Sequence, residues 1–350
     1  MDLGNIGKID KSNMLDLLVS FPDQFAAGRK IGEESVLNID LDIPIDNVVF
    51  AGMGGSAISG DLIISCIGDE LQIPMAVSRD YSLPPHVSDT SLVYIMSYSG
   101  NTEESVSAYK GARDRNANII CVTSGGKIGE FTAQDNVPVF KIPGGQPPRT
   151  ALGYIMLPIL ISLIRLGLIE DMTQDLDEAH KLLIRLSNDY NPHTENNLAY
   201  ENALKLDKKI PLIYSSTEIM RVVAMRWKCQ FNENAKIHSF YNVFPEMNHN
   251  EIVGFDQLKD IFQKFQVIYL QDKDDYYRIN NRMDVTEKIL ERQDLDVLRF
   301  HTEGNSRLAR LFSLIYLGDM ISYYLALNYS MDPTPIKNIN ILKEELEKLV

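Results

Sequence analysis

Hydrophobic and polar positions follow each other along this chain in two rounds of the same pattern. In the first round, short apolar runs rich in β-branched residues are separated by longer stretches of helical spacing. DNVVFAG (46–52), IPMAVSRD (73–80), SLVYIMS (91–97), NIICVTSGG (118–126) and VPVFKIP (137–143) read as strands. Residues 13–30, 57–68 and 102–115 read as helices, the last with Thr102 at its N-cap and two acids in its first turn. Helices fill 150–207, with polar breaks at 170–175 and 189–194. The second round has strands at 209–216, 236–242, 265–272 and 295–304, and helices at 218–235, 275–292, 306–327 and 339–350. Alternation of apolar strands with helices predicts an α/β fold with two parallel sheets, each flanked by helices on both faces. The expected division is a first domain over 1–150, a helical connection over 151–207 and a second domain over 208–350. The two halves share an architecture without an obvious sequence repeat.

Composition narrows the classes of function. The length of 350 residues suits about two domains. The formal net charge is −14, without a long block of one sign, so no nucleic-acid partner is expected. A small anionic ligand is still permitted, because a few local donors can bind one inside an acidic protein. Cys66, Cys121 and Cys229 are far apart, odd in number and outside any CxxC pattern. They read as free buried thiols of a reduced compartment, the cytoplasm. The six histidines form no HxxxH pair, and no metal site is expected. The N-terminus lacks the apolar core of a signal peptide. The most membrane-like stretch is ALGYIMLPILISLI (151–164), which contains Pro158 and falls short of the roughly 20 residues a span needs. It reads as a buried helix, and no membrane partner is expected.

Two stretches carry candidate chemistry. Gly52-Met53-Gly54-Gly55-Ser56-Ala57 follows a strand and opens a helix. Exposed backbone N–H groups at a helix start bind anions, and glycines let a phosphate come close. The spacing also meets the loose dinucleotide pattern G-x-G-x-x-A, with Asp80 available for a ribose. A tight turn alone would need fewer glycines. SYSGNTEE (97–104) favours a phosphate: Ser97, Ser99 and Thr102 lie where a strand ends and a helix begins. An ordinary hydroxyl turn with Thr102 capping is the plain alternative. Three hydroxyls converging with the turn N–H groups instead suit one oxyanion on a small molecule.

A set of motifs carries a resemblance. GMGGSAISGD (52–61), SRDYSLP (78–84), SYSGNTEE (97–104), PPRTALGY (147–154), FNENAK (231–236), FPEMNHNEIVG (244–254) and DPTPIKNINILK (332–343) resemble the bifunctional phosphoglucose/phosphomannose isomerases, within the sugar isomerase (SIS) superfamily. SYSGNTEE alone would point only to an SIS domain, whereas FNENAK with PEMNHNE is far more specific. The resemblance implies two SIS-type domains, a homodimer and a sugar 6-phosphate substrate. It also implies interconversion of glucose 6-phosphate or mannose 6-phosphate with fructose 6-phosphate through a cis-enediol, with no cofactor and no metal. Such chemistry needs a base near carbon, an acid/base for the ring oxygen and a cation for the developing oxyanion. Residue by residue, the resemblance makes Glu233 the base at C1 and C2, and His249 the ring-opening group, reaching across from a second subunit. Arg149 becomes the stabiliser of the enediolate. Lys343 becomes the C-terminal helix lysine that aids ring opening, with Lys337 as its competitor. Ser56, Ser97, Ser99 and Thr102 would hold the phosphate with the backbone of Gly54 and Gly55. Without the resemblance, Glu233 and Lys343 would pass as solvated helix residues, His249 as a surface histidine and Arg149 as a helix-start charge. A sugar-phosphate sensor without turnover would keep the hydroxyl loop but have no use for Glu233 and His249. A dinucleotide-dependent oxidoreductase is the third reading.

Overall fold

The computed structural model describes residues 6–39, 44–68 and 73–349. The chain forms two compact units, residues 20–184 with 304–309 and residues 1–19, 185–303 and 310–350. The opening helices α1 (Ile6–Ile9) and α2 (Met14–Val19) go with the unit that holds the later sheet.

The first sheet is built from β1 (Asn47–Gly52), β2 (Met75–Ser78), β3 (Ser91–Met96), β4 (Asn118–Thr123) and β5 (Val139–Lys141). Its order is β2-β1-β3-β4-β5, and every pairing is parallel. All six residues of both β1 and β3 are buried, which is why these strands read as continuous apolar runs. Around the sheet stand α3 (Phe21–Glu34), α4 (Gly54–Ile67), α5 (Glu103–Asp114), α6 (Gly126–Asp135) and α7 (Leu152–Arg165), and α8 (Thr173–Asp189) follows in the chain. α6 stands where the pattern gives no helix: only Ile128 and Thr132 of its ten residues are buried, too few to leave a periodic signal. The apolar stretch with Pro158 is α7, whose buried face lies against α3. Gly28 makes that approach possible, since a Cβ there would stand 2.3 Å from the Gly153 carbonyl oxygen.

The second unit continues with α9 (Leu198–Lys205) and a four-stranded parallel sheet of β6 (Ile210–Ser215), β7 (Phe240–Val243), β8 (Phe265–Gln271) and β9 (Val297–His301), in the order β7-β6-β8-β9. Its helices are α10 (Glu218–Gln230), α11 (Lys259–Phe262), α12 (Tyr277–Glu291), α13 (Arg307–Asn328) and α14 (Lys337–Glu347). The expected strand at 236–242 starts later, because Lys236 takes a left-handed conformation at φ +60° and the chain turns before it extends. α13 is long and apolar enough to cross a membrane by length and composition, and 94% of its apolar window is buried inside the protein. In both sheets the chain reverses direction of winding between the first strand and the third, β1/β3 and β6/β8. The crevice outside the carboxyl ends of strands at such a point is where open α/β sheets bind ligands.

Candidate active site

At the β1/β3 point of the first unit, three segments converge. β1 ends at Gly52, and Met53 is extended, so α4 starts at Gly54 without a side-chain cap. Thr102 does take the N-cap position of α5, yet its hydroxyl does not cap the helix. It accepts instead from Ser97 Oγ at 3.1 Å. Two helix starts therefore present first-turn N–H groups with no side-chain cap, at the positive ends of their dipoles. Ser56 Oγ accepts a long bond from Tyr98 N–H at 3.4 Å, tying the α4 start to the hydroxyl loop. Ser97 is buried, Ser99 is exposed, and Ser99 Oγ accepts from Asn101 N–H at 3.3 Å. Gly100 is required by geometry: φ is +72°, and a Cβ would lie 1.8 Å from the Gly125 carbonyl oxygen.

The third segment is the 3₁₀ turn Pro148–Thr150. Gly55 lets it approach the start of α4, since a Cβ there would stand 3.1 Å from the Pro148 oxygen and 3.2 Å from Arg149 Cα. Arg149 is buried within this turn, an uncommon place for a guanidinium. Gln24 holds the turn from α3, donating to the Thr150 carbonyl at 2.7 Å and accepting from Gly153 N–H at 2.8 Å. Gln146 N–H donates to Tyr98 Oη at 3.2 Å, joining the turn to the hydroxyl loop. Gly54, Gly55, Ser56, Ser97, Ser99, Thr102 and Arg149 thus gather at one end of one sheet. Sequence reasoning misses Tyr98, Gln146 and Gln24, whose hydrogen bonds tie these loops together.

The second unit carries Glu233, His249 and Lys343. α10 runs into a π-helical turn, Phe231–Ala235, with Glu233 at its centre. Such turns concentrate at functional sites, because the widened ring pushes a side chain out of the helical register. The flanking amides are both tied to the framework. Asn232 Oδ1 accepts from Ser239 N–H at 3.2 Å, and buried Asn234 donates to Ser322 Oγ at 3.0 Å. Half-buried Glu233 lines a cavity of about 590 Å³ together with His238, Asp332 and Lys337. Lys337 and not Lys343 lines this cavity; Lys343 stands farther along α14, exposed. His249 ends a 3₁₀ turn, Glu246–His249, is exposed and lies outside that cavity's lining. The acids around it are occupied. Glu246 accepts from Asn250 at 2.7 Å, and Glu251 accepts from Tyr214 at 2.7 Å and from Asn242 at 2.5 Å. Tyr214 is buried, and that burial together with the Glu251 charge pushes its phenol well above the usual range. Among the described residues no group of three or more His, Cys, Asp or Glu is placed to hold a metal ion. Cys66 and Cys121 are buried thiols, and Cys229 is only half-buried.

Comparison with known proteins gives this geometry its context. Residues 195–346 match the bacterial phospho-glucose isomerase C-terminal SIS domain. The chain is 44% identical over 338 residues to a bifunctional phosphoglucose/phosphomannose isomerase of Caldicellulosiruptor bescii, covering 96% of this chain and 99% of the relative. It is 36% identical over 306 residues to a protein of the same name from Aquifex aeolicus, covering 87% and 92%. Among solved structures, a hypothetical protein from Thermus thermophilus superposes with a TM-score of 0.76 at 12% identity over 96% of this chain and 90% of that one, a likeness of fold alone. Identity at this level from end to end, over a chain whose hydroxyl loop, buried arginine and π-turn glutamate occupy formed structural positions, places the chain in the bifunctional phosphoglucose/phosphomannose isomerase family.

Proposed function

We propose that this chain interconverts glucose 6-phosphate and mannose 6-phosphate with fructose 6-phosphate through a cis-enediol. The observation that carries the reading is the 44% identity, over 96% of this chain and 99% of the relative, to a protein named for both activities. The local chemistry supports it. The uncapped starts of α4 and α5, with Ser56, Ser97, Ser99 and Thr102 and the backbone of Gly54 and Gly55, offer phosphate donors without a metal. Glu233 takes the proton from C2 of the aldose or C1 of the ketose, exchanges it with solvent while the enediol lasts, and protonates the other carbon. His249 moves the proton that opens the ring, in our reading from the second subunit of a homodimer. The Arg149 guanidinium offsets charge on the enediolate oxygen. A lysine of α14 assists ring opening: Lys343 by motif, Lys337 by position beside Glu233. The protein works in the cytoplasm, without cofactor. The test is a coupled assay with fructose 6-phosphate after exhaustive chelation and without added dinucleotide. Both aldose phosphates are expected. Absence of turnover would return the chain to the sensor reading, and turnover only with NAD to the oxidoreductase reading.

A further inference from the structure

We propose that Lys236 is a positioning residue, a clamp that fixes the Glu233 turn against the segment leading into α14. The inference rests on the reading of Glu233 as the carbon base. Lys236 stands at φ +60° and ψ 29°, in the left-handed region. Glycine or asparagine occupies that conformation with less strain. A lysine there is explained by its side chain, and its ammonium is engaged. Nζ donates to the Glu233 carbonyl, at a very short separation, and to the Pro333 carbonyl at 2.9 Å. The first bond satisfies a carbonyl at the helix end and places a cation at the negative end of the α10 dipole. The second reaches a buried proline in Asp332-Pro333-Thr334-Pro335, a stretch with two ring-fixed φ angles and an Asp332 carboxylate that accepts from Thr334 N–H at 3.1 Å. α14 begins two residues after Pro335, at Lys337, with Ile336 at its N-cap. The cavity beside Glu233 is lined by Asn232 and Glu233 of the π turn and by residues 330–332 and 335–339, so the ammonium ties together the two segments that line it.

A clamp of this kind acts on the reacting geometry more than on ground-state binding, because the phosphate donors belong to other residues. In Lys236→Met, kcat with fructose 6-phosphate should fall about 10-fold or more while KM stays within about twofold, and amide exchange over 330–345 should accelerate. Lys236→Arg, whose guanidinium can still bridge two carbonyls, should restore most of kcat and the slow exchange. A kcat in Lys236→Met equal to that of the wild type would overturn the proposal. So would a fall in kcat with unchanged exchange, since the ammonium would then act by charge alone. Glu233→Gln measured alongside keeps the two readings apart. Wild-type turnover in Glu233→Gln overturns the base assignment and the catalytic consequence of the clamp with it. An inactive Glu233→Gln beside a fully active Lys236→Met overturns the clamp alone.

Discussion

At the scale of single residues, the proposed roles divide into groups that hold and groups that react, and substitution should separate them. Ser97→Ala with Thr102→Ala removes a hydroxyl pair that lies 3.1 Å apart. The phosphate is remote from the reacting carbons, so KM should rise more than kcat falls in steady-state kinetics. Glu233→Gln keeps size and placement but cannot take a proton, so kcat should fall by about 10²-fold or more while a phosphorylated enediolate mimic still binds. The hydroxyl loop is legible in the sequence, because three small hydroxyl residues at a strand end exceed the needs of a turn. Glu233 is legible only through its motif; nothing in FNENAK announces a π turn, since one extra residue per ring leaves no periodic mark. Lys236 enters the sequence reading only as the last residue of FNENAK, with no role attached to it. Its significance comes from a left-handed backbone and a carbonyl 97 residues away in sequence.

At the scale of elements, α10 is what carries Glu233 to its place, and a buried ion pair locks α10 to α13. Arg226 donates to Asp319 at 3.0 and 2.6 Å, and Gln230 adds a bond to the same carboxylate at 2.8 Å. Both charges are almost fully buried. Burial raises the Asp319 pKa, while Arg226 and Gln230 pull it down. Asp319→Ala leaves Arg226 without its carboxylate and should cost about 3–5 kcal/mol in denaturant unfolding, whereas the paired change Arg226→Met with Asp319→Leu should cost much less. Trp227 reinforces the lock through a bond to the Leu314 carbonyl at 2.7 Å, and Gly318 leaves room for its ring. The strands of both sheets are readable because burial on two faces makes them apolar throughout. α6 is not, because a short helix with two buried positions has no stripe. The start of β7 is not either, because Lys236 sets the turn before it.

At the scale of the whole molecule, the two sheets share a winding order but differ at their crossover ends. The first has glycines and hydroxyls there. The second has Asp272 paired with Arg310 at 2.7 Å, and Asp275 accepting from Asp272 N–H at 2.9 Å. Burial, opposed by the Ser216 hydroxyl, pushes the Asp275 pKa up to about 6, from 3.8 for the free side chain. The folded state therefore favours the protonated acid. That contribution to stability is fully present below the unfolded pKa and is lost as pH rises through about 6. Asp275→Asn should accordingly gain in Tm over the wild type as pH rises from about 4 to about 7, and a difference independent of pH would contradict the assignment. Proton transfer through an enediol that leads to two aldoses is the central proposal, and label from solvent tests it most directly. Fructose 6-phosphate is incubated with chelated enzyme in D₂O and the products are resolved by NMR. Glucose 6-phosphate and mannose 6-phosphate are expected, each carrying deuterium at C2. Failure to form either aldose, or aldoses with only protium at C2 as a hydride shift would give, would contradict that proposal.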